Sequence, residues 1–387
     1  GQSGPGPGRH TLRRALIVAQ FTVSTVLIIG TMITVRQLDY LLHKDIGLDK
    51  EQVVCLPLNT EMSNRFESLR TELLQQPGVV AVTGQRHGLW GRMHTTTRLG
   101  FEGQVAGSFE SQYLEYLLVD YDFIRFYGLK LISGRDFSRD YSSDPMHSFV
   151  INETLAQKMG WDPEAAIGKR VSINSPEPGQ VIGVVKDFHF RSLNELIEPF
   201  AMVVPEPGAL GLAAVRIAPG REAEVLKFLE SRWRELMPER PFEYTFLDQD
   251  FNRQFETYRH SIVIVGLFSA LALSIACLGL MGLIALAAEA RTKEIGVRKV
   301  LGATVADILL LLSREFLLLL GLALLIAWPV AWYVMNRWLQ NFAYRIDPGW
   351  DTFVLAGVIA LAVAAVTVSF QALRAATADP VESLRYE

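Results

Sequence analysis

The stretch Glu289–Thr304, EARTKEIGVRKVLGAT, carries both signs of charge and sits between two of the most apolar segments of the 387-residue chain. Ahead of it, Ser261–Ala288 holds no ionisable side chain other than the thiol of Cys277. Behind it, Ile308–Leu312 opens a second apolar run, which resumes as Phe316–Met335 after Arg314–Glu315. A membrane core about 30 Å thick is crossed by roughly 20 apolar helical residues. The stretch therefore reads as an aqueous turn between two spanning helices.

Arg291, Glu294, Ile295 and Arg298 recur at helical spacing, and Glu294 with Arg298 forms an i, i+4 pair. Gly302 offers a helix stop, and Thr304-Val305-Ala306-Asp307 reads as a capping box that opens the next helix. From spacing alone the stretch fits two readings equally: a short helix that another protein grips, or a solvated loop obeying the positive-inside rule.

Working outward, Ala15–Val35 is an uncharged run behind Arg9, Arg13 and Arg14. It exceeds the roughly 7–15 residues of a signal-peptide core and ends in Arg36-Gln37-Leu38-Asp39 with no small-residue cleavage site. It reads as a first membrane anchor (15–36), preceded by a Gly/Pro-rich linker (1–14) of a longer or processed polypeptide. Beyond the charged stretch, Phe316–Met335 spans again with a kink expected at Pro329. Trp332, Tyr333, Trp338, Tyr344 and Trp350 form an interfacial belt, and Phe353–Leu373 crosses last. Gly266, Gly279 and Gly282 offer close helix approach, or are ordinary membrane-helix glycines. The tail 374–387 contains Asp379-Pro380-Val381-Glu382, a helix-start pattern.

Between the first two spans, 37–260 cannot cross a membrane. Short apolar runs at Val53–Leu58, Val79–Val82, Tyr113–Val119, Val181–Val185 and Leu212–Ile217 read as strands. Helices are expected at Asn64–Gln75, Asn152–Met159 and Arg221–Leu236. The fold class is an α-helical membrane protein with four spans and an extracytoplasmic α+β domain inserted after the first. Arginine and lysine crowd the N-terminus, the charged stretch and the tail, which places those three inside and the inserted domain outside.

Composition excludes several classes. A formal net charge of −4 gives no reason to expect nucleic acid, and two cysteines make no disulfide framework. The closest approach to a phosphate-cradling loop is Gly168-Lys169-Arg170, with Arg where a hydroxyl belongs and Pro163 where the first Gly belongs. His87 with His94, and Asp187 with His189, are the nearest candidates for a metal or acid–base pair, and read as ordinary polar residues. Asp120/Asp122 and Asp248/Asp250 border element ends, where Asp caps. No catalytic residue, metal ligand or cofactor-binding residue is assigned. The spans carry almost no charge, which argues for levers or scaffold and against an ion pathway.

KEIGVRKVLGAT closely resembles the cytoplasmic loop of the MacB/FtsX-type ABC transporter permeases. Ser133-Gly134-Arg135-Asp136-Phe137, Ile151-Asn152-Glu153-Thr154, Gly160-Trp161, Ile167-Gly168-Lys169-Arg170-Val171 and Gly183-Val184-Val185-Lys186-Asp187-Phe188-His189 are similar to that family's periplasmic core domain. The resemblance implies a permease domain over 261–387 whose coupling helix, 289–303, docks on a nucleotide-binding subunit through Arg291, Glu294, Ile295, Arg298 and Lys299. It implies no catalysis in this chain, ATP and Mg²⁺ in a cytoplasmic ABC ATPase partner, a second permease half, and in some members a periplasmic adaptor. The expected location is the bacterial inner membrane, with motion carried outward for export of drugs, peptides or lipoproteins. The alternative is a non-transporting regulator of cell-wall hydrolases or signalling.

Overall fold

The computed structural model describes residues 7–90, 95–102, 109–173, 178–290, 301 and 304–377. It divides into a helical unit, Gly1–Leu42 with Thr257–Glu387, and a sheet unit, His43–Glu256.

The helical unit holds α1 (Pro7–His43), α9 (Glu256–Ala290), α10 (Val305–Leu339) and α11 (Trp350–Thr377). All four are long and apolar enough to cross a membrane. α9 and α10 have 35 residues each, about 50 Å of helix, well beyond a membrane core of about 30 Å. α1 starts at Pro7, inside the stretch expected to be linker: proline suits a first helical turn, where its missing N–H costs no bond. α10 runs on through Pro329. The helix continues through Arg314–Glu315, where Glu315 meets Arg14 of α1 at 2.8 Å.

Two clusters knit these helices. Ile17 and Phe21 of α1 pack with Ala276 and Leu280 of α9, Phe316 and Leu320 of α10, and Val368 of α11. Ile29 and Ile33 pack with Ala331, Met335 and Phe353. The buried alanines 323, 327 and 331 of α10 and 356, 360 and 364 of α11 recur every fourth residue, and such small stripes let membrane helices approach closely. Of the three glycines expected to serve the same end, only Gly279 is approached: a Cβ there would lie 2.8 Å from Gln20 Oε1, whereas one at Gly266 or Gly282 would meet nothing.

Among the described residues the sheet unit has eleven strands in two sheets. β1 (Val53–Pro57), β2 (Val79–Gln85), β10 (Leu212–Ile217) and β11 (Thr245–Phe246) form an antiparallel sheet in the order β11-β1-β10-β2. The second sheet takes β3 (Thr95–Glu102), β4 (Phe109–Leu118), β5 (Leu131–Gly134), β6 (Ser148–Asn152), β7 (Arg170–Ile173), β8 (Gly179–Val185) and β9 (Phe200–Val203). Its order is β5-β8-β6-β9-β4-β3-β7, and β7 also pairs with β8, so the sheet closes on itself.

Strand periodicity sorts three cores. Val54 and Leu56 point to one side of the first sheet, under α3 (Phe66–Gln75) and α7 (Glu222–Leu236), with Leu73, Val225, Leu229 and Trp233. Val53 and Cys55 point to the other side, against Val150, Val185, Phe200 and Met202 of the second sheet. The opposite faces of those strands, Phe149, Ile151, Val184 and Ala201, pack with Leu155 and Ala156 of α6 (Glu153–Lys158) and with Trp161. Central strands buried on both faces explain why they read as unbroken apolar runs.

Candidate coupling site and the motifs around it

The residues expected to contact an ATPase, Arg291, Glu294, Ile295, Arg298 and Lys299, lie outside the described residues. The structure shows what frames them. α9 reaches Ala290 and α10 begins at Val305, with Leu301 and Thr304 exposed between.

α1 is tied to its neighbours at both ends. Near one end stands the Arg14–Glu315 pair. Thr22 Oγ1 donates to the Ala323 carbonyl at 3.3 Å. Near the other end, Arg36 reaches Asp351 at 2.5 Å and donates to Thr352 Oγ1 at 2.7 Å. Gln37, 1% exposed, donates to the Tyr344 carbonyl at 2.7 Å and accepts from the Ile346 N–H at 2.9 Å. A buried amide satisfied on both atoms fixes the 344–346 connection to α1. These contacts tie α1 to α10, α11 and the connection between them.

In the sheet unit, the phrases that look most like chemistry turn out to hold the fold. Gly134 has φ +77°, and a Cβ there would lie 2.2 Å from the Ile182 carbonyl. Gly183, opposite, has room only for hydrogen, since a Cβ would meet the Arg135 carbonyl at 2.5 Å. The two glycine motifs are one close crossing of β5 and β8. Asn152 caps α6, accepting from the Leu155 N–H at 3.0 Å and from the Phe200 N–H at 2.9 Å, while its amide donates to the Glu198 carbonyl. Thr154 donates its N–H and hydroxyl to the two carboxylate oxygens of Asp187, at 3.0 and 2.7 Å. Gly168 donates its N–H to the Val181 carbonyl, and Lys169 pairs with Glu102 at 3.8 Å. The backbone of that loop is spent on strand pairing.

Asp187 serves α6, while His189 is buried and held neutral; burial, and then Lys44, pushes its imidazole down to about 4. His87 is also shifted down, by burial and then by Arg86; His94 lies outside the described residues. Asp250 accepts from Thr245 Oγ1 at 2.7 Å, and Asp248 from the Gln249 N–H. Burial pushes the Cys55 thiol up to about 12, so it is an inert core group. Among the described residues no group of three His, Cys, Asp or Glu side chains is placed to hold a metal.

Asp120 is different. It is 3% exposed, accepts a short hydrogen bond from the Thr83 hydroxyl, and burial pushes its carboxyl up to about 7. Its N–H donates to the Gly84 carbonyl, so one residue stitches the second sheet to β2 of the first. Nothing in its spacing reveals this, because Thr83 and Asp120 are brought together only by the fold.

Comparison with known proteins agrees with this architecture. The chain is 25% identical over 327 residues to the protein named "Macrolide export ATP-binding/permease protein MacB 2" of Yersinia pestis bv. Antiqua, covering 80% of this chain and 46% of that protein. It is 26% identical over 274 residues to the "Uncharacterized ABC transporter permease YknZ" of Bacillus subtilis, covering 67% and 66% respectively. The chain thus spans about half the length of the MacB proteins it matches. Among solved structures, the periplasmic region of MacB from Actinobacillus actinomycetemcomitans aligns with a TM-score of 0.39 at 17% identity, over 56% of this chain and 98% of that one. Residues 15–227 match the MacB-like periplasmic core domain and residues 266–380 the FtsX-like permease C-terminal domain; the chain belongs to the MacB/FtsX family of ABC transporter permeases.

Proposed function

We propose that this chain is the permease subunit of an ABC transporter, in which a separate cytoplasmic ATPase subunit binds and hydrolyses ATP and the chain relays the resulting motion. The observation that carries the reading is the charged stretch 289–303, set between two helices of 35 residues each within the segment matching the FtsX-like permease domain. A helix docked there would move α9 and α10 together. The ties from α1 to α10 and α11 support transmission by the bundle as a set of rods.

The arginine and lysine bias places the stretch and both termini in the cytoplasm, and an even number of spans then puts the sheet unit outside. In a two-membrane bacterium that is the periplasmic face of the inner membrane. A second permease half completes the membrane part, and a periplasmic adaptor is a further candidate partner. The substrate is handled on the outer side for export or extraction.

The test is a pair of substitutions in the stretch. Buried apolar anchors dominate docked contacts and rim charges contribute less. Ile295→Asp therefore abolishes co-purification of the ATPase and its stimulation, while Lys299→Ala weakens both only modestly. Protein amount in the membrane stays constant, since the stretch lies outside the lipid. Unchanged coupling in Ile295→Asp at normal expression would make the stretch a simple connector.

A further inference from the structure

A cleft of about 280 Å³ opens in the sheet unit beside Asp120, walled by residues 63–68 and 204–210. Its size is just below the ~300–1,000 Å³ of sites for drug-sized ligands. Two of its lining side chains, Asp120 and Ser63, are each 3% exposed, and Asp120 Oδ2 and Ser63 Oγ have no hydrogen-bond partner. Buried acceptors left open are rare and call for an explanation.

The local charge count points to the missing group. Arg139 pairs with Glu67 at 2.8 Å and Asp122 at 2.9 Å, and only distantly, at 3.9 Å, with Asp120 Oδ2. Arg70 pairs with the same Asp122 at 2.7 Å. Two guanidinium groups thus face three carboxylates, one positive charge short, and the unserved oxygen is on Asp120; the other charged lining residues, Arg65 (3.7 Å from Glu61) and Glu206, add no net positive charge. The rest of the lining is largely apolar, with Phe66, Tyr121 and Leu210 among it. The wall is preset: Gly208 has φ +89°, and a Cβ there would lie 2.3 Å from Asn64 Oδ1.

We propose that this cleft binds a small organic ammonium, an amine carried on an apolar body, with the amine on Asp120 and the body against Phe66, Tyr121 and Leu210. An ammonium supplies the missing charge and donates where Asp120 and Ser63 accept. With no ligand, a proton meets the same need, which is why burial leaves the Asp120 carboxyl at about 7. Amine binding then expels that proton. The site lies wholly within the sheet unit and stands or falls apart from the coupling reading.

The experiment titrates the full chain in detergent by calorimetry, with phenethylamine as probe and N-acetylphenethylamine as its neutral counterpart. Phenethylamine binds once per chain, and the neutral compound binds weaker by about tenfold or more, the worth of one charge-assisted hydrogen bond. Near pH 7 the heat depends on buffer ionisation enthalpy, as proton release requires. Asp120→Asn, which keeps shape and the Thr83 bond, loses the preference for the amine. The comparison on the unaltered chain stands even if that variant folds poorly. No saturation at millimolar phenethylamine, equal binding of the neutral compound, or an undiminished preference in a folded Asp120→Asn chain would each overturn the proposal. Tighter binding of Nα-acetyl-lysine amide than of phenethylamine would assign the cleft to a protein's lysine and overturn the small-molecule occupant.

Discussion

Arg135 and Asp144 form a two-pronged ion pair, Nη1 to Oδ2 at 2.8 Å and Nη2 to Oδ1 at 2.7 Å, with Asp144 entirely buried. Asp144 also accepts from the Ser138 N–H and the Ser148 hydroxyl, and Arg135 lies over the Tyr141 ring. Burial alone would push the Asp144 carboxyl up, but these donors outweigh it and hold it below the usual carboxylate range. Removing one partner of such a pair strands a buried charge and costs about 3–5 kcal/mol. Arg135→Met should lower the unfolding free energy by that order, and Arg135→Lys by less, since lysine keeps the charge but not the fork. Denaturant unfolding of the purified chain checks both values.

Glycines sharing a left-handed conformation should not respond alike. Gly134 and Gly168 have φ of +77° and +83°, but only at Gly134 would a Cβ strike backbone, whereas at Gly168 it meets nothing. Gly168→Ala should cost about 1–2 kcal/mol, the strain of a left-handed alanine. Gly134→Ala must also push β5 off β8, and should cost clearly more by the same unfolding measurement. Equal losses would mean that the crossing relaxes freely.

Two buried groups give opposite pH slopes. Asp120 binds its proton more tightly folded than unfolded, so its contribution to stability declines as pH rises from about 4 to about 7. His189 binds its proton less tightly folded, so its contribution declines as pH falls from 6.5 to about 4. In the unaltered chain the two partly cancel. Asp120→Asn should unmask the His189 slope, making the variant less stable at pH 4.5 than at pH 6.5 relative to the parent, as thermal unfolding midpoints in matched buffers would reveal.

In the helical unit, burial should outrank charge. The Arg36–Asp351 pair is substantially exposed on both sides, and exposed pairs are worth about 0–1 kcal/mol. Gln37 is buried with both amide atoms bonded, and leaving its two partners bare costs about 1–3 kcal/mol each where water is excluded. Gln37→Leu should therefore lower the melting temperature in detergent more than Arg36→Ala. The reverse order would show that the 344–346 connection does not depend on α1.

Much of this was readable from the chain. Spans announce themselves by uninterrupted apolar length, and Leu212–Ile217 was delimited to the residue because it is apolar throughout. Phe200–Val203 and Leu131–Gly134 escaped notice because four residues make no period and little composition. β3, Thr95–Glu102, escaped because threonine and glycine dilute its apolar side chains. The family-like phrases stood out in sequence without revealing their role. Gly134 with Gly183, and Thr154 with Asp187, meet only after the strands have crossed. The cleft at Asp120 was invisible for the same reason: Ser63, Thr83 and Asp120 come from three separate stretches of the chain.

The closure of the second sheet through β7 and β8 has a mechanical meaning. An open sheet pulled at one margin can peel, parting its bonds one after another at low force. β5 hangs outside on β8 alone, but the ring of the other six strands offers no margin at which to begin, so a tug on one of them is shared around the ring and many bonds must give together. Under a directed load a hoop of strands holds where a ribbon would unzip.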